Sequence, residues 1–203
     1  MKAIILSLIF SIVSFSLIAQ MNQFELNISH GKTSDNFYDS KFINPFESEL
    51  PDFYRIGLLY YYTPKNALLK IKTGLTYDIR GESNNNLKYL RTPIGIDLQY
   101  GNKIYFIAGG GVILSYLINY QGIKSSDFLD SKNDFQLLAE TNAGIGVNVL
   151  NHYSITFGYQ INFDLTKMYE DKGMSPGGAS YIDDIKGRDG FFYIGIRYKL
   201  TKK

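Results

Sequence analysis

Cysteine is absent from the 203-residue chain, and histidine occurs only twice. The first absence excludes disulfides, thiolate metal sites and cysteine nucleophiles. The second leaves no two-histidine metal motif, so zinc hydrolysis is not expected. Beyond residue 19 no stretch of about 18 uninterrupted apolar residues occurs, so no transmembrane helix is expected there. Alanine is sparse, and no helical hydrophobic period rivals the alternating patterns described below. Charge of one sign is lacking too. The chain carries 21 basic and 19 acidic residues, or 20 against 19 once Lys2 is set aside. Without a clustered basic face there is no nucleic-acid footprint.

What is there begins with a leader. Met1–Ala19 has one basic residue, Lys2, then an apolar run from Ala3 to Ala19 interrupted only by Ser. Leu17-Ile18-Ala19 ends on a small residue and Gln20 opens a polar stretch, the pattern of a secretory signal peptide over residues 1–19. No cysteine follows the cleavage point, which excludes an N-acylated lipoprotein. Residues 20–203 are expected to form a single domain.

That domain reads as eight segments of alternating apolar and polar residues. The short breaks are Thr63–Ala67, Gly101–Asn102 and Asn151–His152; the longer ones are Gly31–Asp52, Gly81–Asn86, Gln121–Asp134 and Leu165–Gly190. Tight turns at one end and longer loops at the other are the signature of an up-and-down transmembrane β-barrel. The faces separate by parity. In the first segment Phe24, Leu26 and Ile28 alternate with Glu25, Asn27 and Ser29; in the third Leu69, Ile71, Leu75, Tyr77 and Ile79 oppose Lys70, Lys72, Asp78 and Arg80. The fifth segment, Lys103–Tyr120, is apolar on both parities and carries Gly109-Gly110-Gly111. Two readings fit it: a strand whose inner face packs bulky side chains, or a strand buried in a soluble protein. The glycines suggest a bend or bulge. No Lys-Ser/Thr follows them, so they do not form a phosphate loop.

A soluble lipocalin-like carrier would turn the apolar parity inward. A membrane barrel would turn it outward, with aromatic girdles at the strand ends. Tyr54, Tyr60, Tyr62, Tyr77, Tyr100, Tyr116, Tyr153 and Phe163 fall on the apolar parity, and most lie near segment ends. The polar parity combines glycines with Glu25, Arg55, Lys72, Asp78, Arg80, Arg91, Asp97, Glu140, Asp164 and Arg197. The fold class expected is therefore all-β: an eight-stranded antiparallel up-and-down outer-membrane barrel, both ends periplasmic. Charges of both signs in one narrow lumen must pair. An internal ion-pair network and no open pore follow as expectations.

Tyr89-Leu90-Arg91-Thr92-Pro93-Ile94-Gly95-Ile96, a two-residue turn, then Ile104–Gly111 and Tyr116-Leu117 resemble the PorT-like outer-membrane β-barrel family of Bacteroidetes. Members commonly show Tyr-Leu-Glu-Ile-Pro, a tight turn and a Gly-rich strand ending in Tyr-Leu. Here Arg91-Thr92 replaces the acid and apolar pair. The resemblance implies a barrel of this type, and a role in type IX protein secretion as one alternative function. Pro93 lies inside a strand and lacks a ladder donor, so a bulge is expected there.

An enzymatic site has one formal candidate, His30 with Ser29 or Ser34 and Asp35 at the external rim. A Ser–His pair needs hydrogen-bond reach. His152 reads as a turn residue at the opposite end. The acids Glu170, Asp171, Asp183, Asp184 and Asp189 of the last long break could supply oxygens to calcium, though their spacing matches no EF-hand. No catalytic, cofactor-binding or metal residue is assigned and no cofactor is expected. The function expected is non-enzymatic, structural or loop-mediated at the cell surface. The partners expected are membrane lipids and a protein met through external loops or periplasmic turns, without nucleic acid.

Overall fold

The computed structural model describes residues 21–35, 52–64, 68–82, 85–121, 132–174 and 180–201. Its strands are β1 (Met21–Asp35), β2 (Asp52–Tyr62), β3 (Leu69–Glu82), β4 (Asn85–Gly101), β5 (Ile104–Gln121), β6 (Phe135–Asn148), β7 (Tyr153–Asp164), β8 (Tyr169–Met174), β9 (Ser180–Ile185) and β10 (Gly187–Thr201). Eight of them close a barrel in the order β1-β10-β7-β6-β5-β4-β3-β2, and β8 pairs with β9 as a separate hairpin. Every pairing is antiparallel. Closure joins the first barrel strand to the last, with Met21 opposite Thr201 and Asp35 opposite Gly187. The barrel itself has no unpaired edge, as a chain spanning a bilayer by strands requires.

The alternation dictates which way each side chain points. Leu26, Ile56, Leu58, Leu75, Ile96, Leu98, Phe157, Ile194 and Ile196 are exposed on the outside. Glu25, Arg55, Asp78, Arg91, Asp97, Thr156 and Arg197 are buried inside. This is the inverse of a soluble carrier, and it removes the lipocalin-like alternative. A large apolar exterior around a charged interior is stable only where lipid replaces water.

Several details differ from the sequence reading. The break at Gly81–Asn86 is a tight hairpin, because the β3–β4 ladder runs on to Glu82 opposite Asn85. Strand β1 continues past Gly31 to Asp35, so His30 lies within the strand. The last break contains the β8–β9 hairpin, and β10 begins at Gly187. Neither Pro93 nor the glycine triplet makes a bulge. Pro93 stands in register with Ile113, and Gly109, Gly110 and Gly111 oppose Asp97, Ile96 and Gly95 without a shift. On the other side of Pro93, the β3–β4 ladder skips from Thr73–Ile94 to Thr76–Arg91 in unchanged register. A local gap in hydrogen bonding thus absorbs the missing N–H. The register shift that does occur in β4 is at Lys88/Tyr89.

Strand β5 is apolar on both faces because its inner side chains fill the lumen: Tyr105, Ile107, Ile113 and Leu117 are all buried. Small residues opposite make that packing fit. A Cβ on Gly146 would stand 2.2 Å from the Tyr105 ring, so the glycine is the seat of the tyrosine. Gly109 has the same relation to the Asp97 carboxylate, 2.1 Å from where a Cβ would lie.

Candidate functional site

The lumen is built from alternate residues of all eight strands and holds twelve buried ionisable side chains of Lys, Arg, Asp and Glu. Arg55, Lys70, Lys72, Arg80, Arg91 and Arg197 face Glu25, Asp78, Asp97, Glu140, Asp164 and Asp189. Among these buried side chains six cations stand against six anions. Burial of this many charges is tolerable only if each is paired and hydrogen-bonded.

The pairs form tiers along the axis. Toward the end with the long connections, Arg80 makes two forked contacts. Its Nε and Nη2 donate to Asp189 at 2.7 and 2.8 Å, and Nη2 and Nη1 donate to Asp164 at 2.8 and 3.0 Å. Arg91 Nη1 donates to Asp189 at 3.0 Å and to Asp78 at 2.6 Å. Arg55 completes the tier with Nε and Nη2 on Asp78 at 2.9 and 2.6 Å. Three arginines thus meet three aspartates. Forked guanidinium–carboxylate geometry fixes orientation as well as charge. Phe53 and Phe191 stack at 4.6 Å, with Arg55 over the Phe191 ring and Arg91 over Tyr89.

In the middle tier Lys72 stands 2.7 Å from Glu140 and 3.8 Å from Asp97, and Gln160 donates to Glu140 at 2.8 Å. Toward the other end Arg197 holds Glu25 through Nε at 2.8 Å and Nη2 at 2.6 Å. Thr156 and Asn27 donate to the same carboxylate. Arg197 lies 4.0 Å over the Tyr61 ring.

Described side chains line both mouths. At the end with the long connections Leu87, Tyr89 and Leu117 form a buried apolar cluster. Met168, from the connection after β7, places its sulfur 3.1 Å from Arg80 Nη1 and is itself buried. Asn133 ties that connection down by donating its backbone N–H to the Met168 carbonyl at 2.7 Å. At the other end Lys70 donates to Thr63 at 3.0 Å and Lys199 to Asn148 at 2.6 Å. The ion-pair network expected from the sequence is present, and every charge named for it is in it.

Asp189 is a correction. Placed by sequence in the last long break, it is fully buried and central to the tier nearest the long connections. Its displacement follows from β10 starting at Gly187, which turns Asp189 into the lumen by strand parity. The calcium set loses that acid. Of the others, the hairpin register sets Glu170 opposite Asp184 and Asp171 opposite Asp183; their side chains lie outside the described residues, as does that of Asp35. Among the described residues no group of three metal-ligating side chains forms.

The enzymatic candidate is not assembled. His30 points outward and stacks on Tyr54 at 4.8 Å, whereas Ser29 points into the lumen and donates to Asn27 at 2.9 Å. Adjacent residues on a strand cannot share a site on one face. Ser34 is buried four residues along, roughly 13 Å of strand away. His152 lies at the opposite end beside Tyr198, with ring centroids 6.2 Å apart. Outside the spanning strands, Lys132 donates to Asp134, which raises its ammonium above the ordinary lysine range.

A closed antiparallel barrel with an apolar exterior, a charge-paired lumen and aromatic rims belongs to the eight-stranded outer-membrane class. The same shape recurs in solved structures. Neisserial surface protein A (NspA) superposes with a TM-score of 0.60 at 11% identity, covering 88% of this chain and 97% of that one. OprG from Pseudomonas aeruginosa gives 0.52 at 9% identity, over 91% and 97%. The outer membrane enzyme PagL gives 0.51 at 12%, over 88% and 99%. At these identities the likeness is one of fold. No family model and no curated protein matches the sequence.

Proposed function

We propose that this protein is a non-enzymatic, non-conducting barrel of the Gram-negative outer membrane. Its rigid, filled body presents the external connections, including the β8–β9 hairpin, to a protein partner. The observation that carries this reading is the lumen: Arg55, Lys72, Arg80, Arg91 and Arg197 interlock with six carboxylates beneath the Met168 and Leu87–Tyr89–Leu117 cap, with Lys70 hydrogen-bonded to Thr63, leaving the strands as scaffold. Recognition then falls to the connections, which commonly carry function on a rigid frame. The separation of His30 from Ser29 across the barrel wall supports the non-enzymatic part, although PagL shows that the fold accommodates catalysis.

The test is placement of the hairpin. An epitope inserted between Met174 and Ser180 should be reached by a non-permeant label on intact cells, with the protein in the outer-membrane fraction. Replacing the hairpin by a short turn should leave the heat-modifiable barrel intact while abolishing partner crosslinks. Labelling only after permeabilisation, or recovery of the protein in a detergent-free soluble fraction, would contradict the proposal. The Tyr89–Leu117 hairpin supports a PorT-like assignment within this class. A type IX secretion role further requires loss of export on deletion; normal export would remove it.

A further inference from the structure

The two ends of the barrel differ in charge. At the end with the short turns, residues 20–24, 60–69, 98–106, 146–155 and 198–203 contain no aspartate or glutamate and five lysines: Lys65, Lys103, Lys199, Lys202 and Lys203. At the other end, residues 32–52, 82–88, 121–134 and 165–188 hold thirteen acids against nine lysines and arginines. The carboxylates nearest the short-turn end, Glu25 and Asp97, lie in the lumen against Arg197 and Lys72.

Hydrogen bonds gather part of that charge at one corner, with Asn148 of β6 at its centre. Asn148 Oδ1 accepts from Lys199 Nζ at 2.6 Å and from Ser154 Oγ at 2.7 Å, and its Nδ2 donates to the Asn102 carbonyl. The Asn148 backbone N–H donates to the Lys103 carbonyl at 2.8 Å, and that of Lys199 to the His152 carbonyl at 2.8 Å. The end of β10 is thereby tied to the β4–β5 and β6–β7 turns. Lys199 is half-buried in the mouth and Lys103 is exposed on the rim. Beyond the bond to Asn148, Lys199 has two N–H donors left, and Lys103 has three. Among the described residues no carboxylate lies within ion-pair distance of either, and the sequence at this end holds no aspartate or glutamate that could supply one.

The depth of the corner identifies what covers it. Tyr100, Ile104, Phe106 and Leu150, on either side of these turns, are exposed apolar side chains. On a barrel in a bilayer they meet lipid, so the turns between them lie at headgroup level. The β4–β5 turn is Asn102 and Lys103 alone, too short to project farther toward a soluble partner. We infer that this corner binds the phosphate of an anionic phospholipid in the inner leaflet. Lys103 and Lys199 donate to it, and the remaining lysines of that end add to the attraction of the anionic surface. The inference rests on the outer-membrane reading above, with the short turns toward the periplasm.

The experiment is native mass spectrometry of the full chain, titrated in detergent with phosphatidylglycerol and, separately, with phosphatidylethanolamine of matched chain length. Phosphatidylglycerol should bind tighter by about fivefold to tenfold, a margin that shrinks as ionic strength rises. Lys103→Gln with Lys199→Gln should bring the two affinities within about twofold. Lys103→Glu alone, at an exposed turn position outside the lumen, should do the same while heat-modifiable mobility reports an intact barrel. Lys132→Gln, at the other end, should leave the preference unchanged. Equal affinity of the wild-type protein for the two lipids, or a preference that survives both Lys103 variants in a folded barrel, would overturn the inference. Equal affinity together with a lysine-dependent crosslink from position 102 to a periplasmic protein would assign the corner to an acidic protein instead. A barrel that fractionates with the outer membrane yet shows no preference defeats the lipid site alone. A protein absent from that fraction defeats the functional reading as well.

Discussion

Replacing Asp189 by Ala is expected to cost about 3–5 kcal/mol of barrel stability, the range for removing one partner of a buried ion pair. Asp189 accepts a forked contact from Arg80 and a further bond from Arg91, and all three side chains are buried. Its loss leaves six buried cations against five buried anions. Arg80 keeps Asp164 and Arg91 keeps Asp78, so the barrel should still fold. Adding Arg91→Met brings the two counts level and should return at least about 1 kcal/mol, because buried pairs replaced by apolar groups can be nearly neutral. Urea unfolding in lipid vesicles, followed by heat-modifiable gel mobility, measures both. A loss under about 1 kcal/mol for Asp189→Ala, with no recovery in the double variant, would refute the role given to the external tier.

The second large effect lies on the other face. Leu75 sits at the middle of β3, exposed outward beside Leu58. Leu75→Arg should destabilise the barrel by about 2–4 kcal/mol, the cost of a basic residue at the bilayer midplane, whereas Leu75→Phe should change little. In a water-soluble barrel the same exposed position would tolerate Arg within about 0.5 kcal/mol. The same unfolding assay separates these outcomes, and near-neutrality of the arginine would contradict the outward orientation of the apolar parity.

Most of the barrel was legible because a period of two is a strong signal. A strand buried on one face cannot slip by one residue without exchanging its faces. Phe24-Leu26-Ile28 against Glu25-Asn27-Ser29, and the matching runs of β3 and β7, therefore assigned both strand and side. The lumen charges followed from the same parity. Strand ends were less legible, since they are set by pairing partners distant in sequence. Gly187-Arg188-Asp189 extends β10 because Ser34 and Asp35 of β1 lie opposite, and nothing local to those residues says so. Asp189 was misplaced for that reason, and so was the rim position of His30. Pro93 suggested a bulge on local grounds, but closure on both sides kept its register.

The proposal that the lumen conducts no ions is tested most directly by single-channel recording. Purified wild-type protein incorporated into planar bilayers should give no stable conductance steps, while gel mobility shows that it is folded. Stable, large, reproducible steps from the folded protein would contradict it, because the three ionic tiers and the Met168 cap would then have to leave a continuous aqueous path.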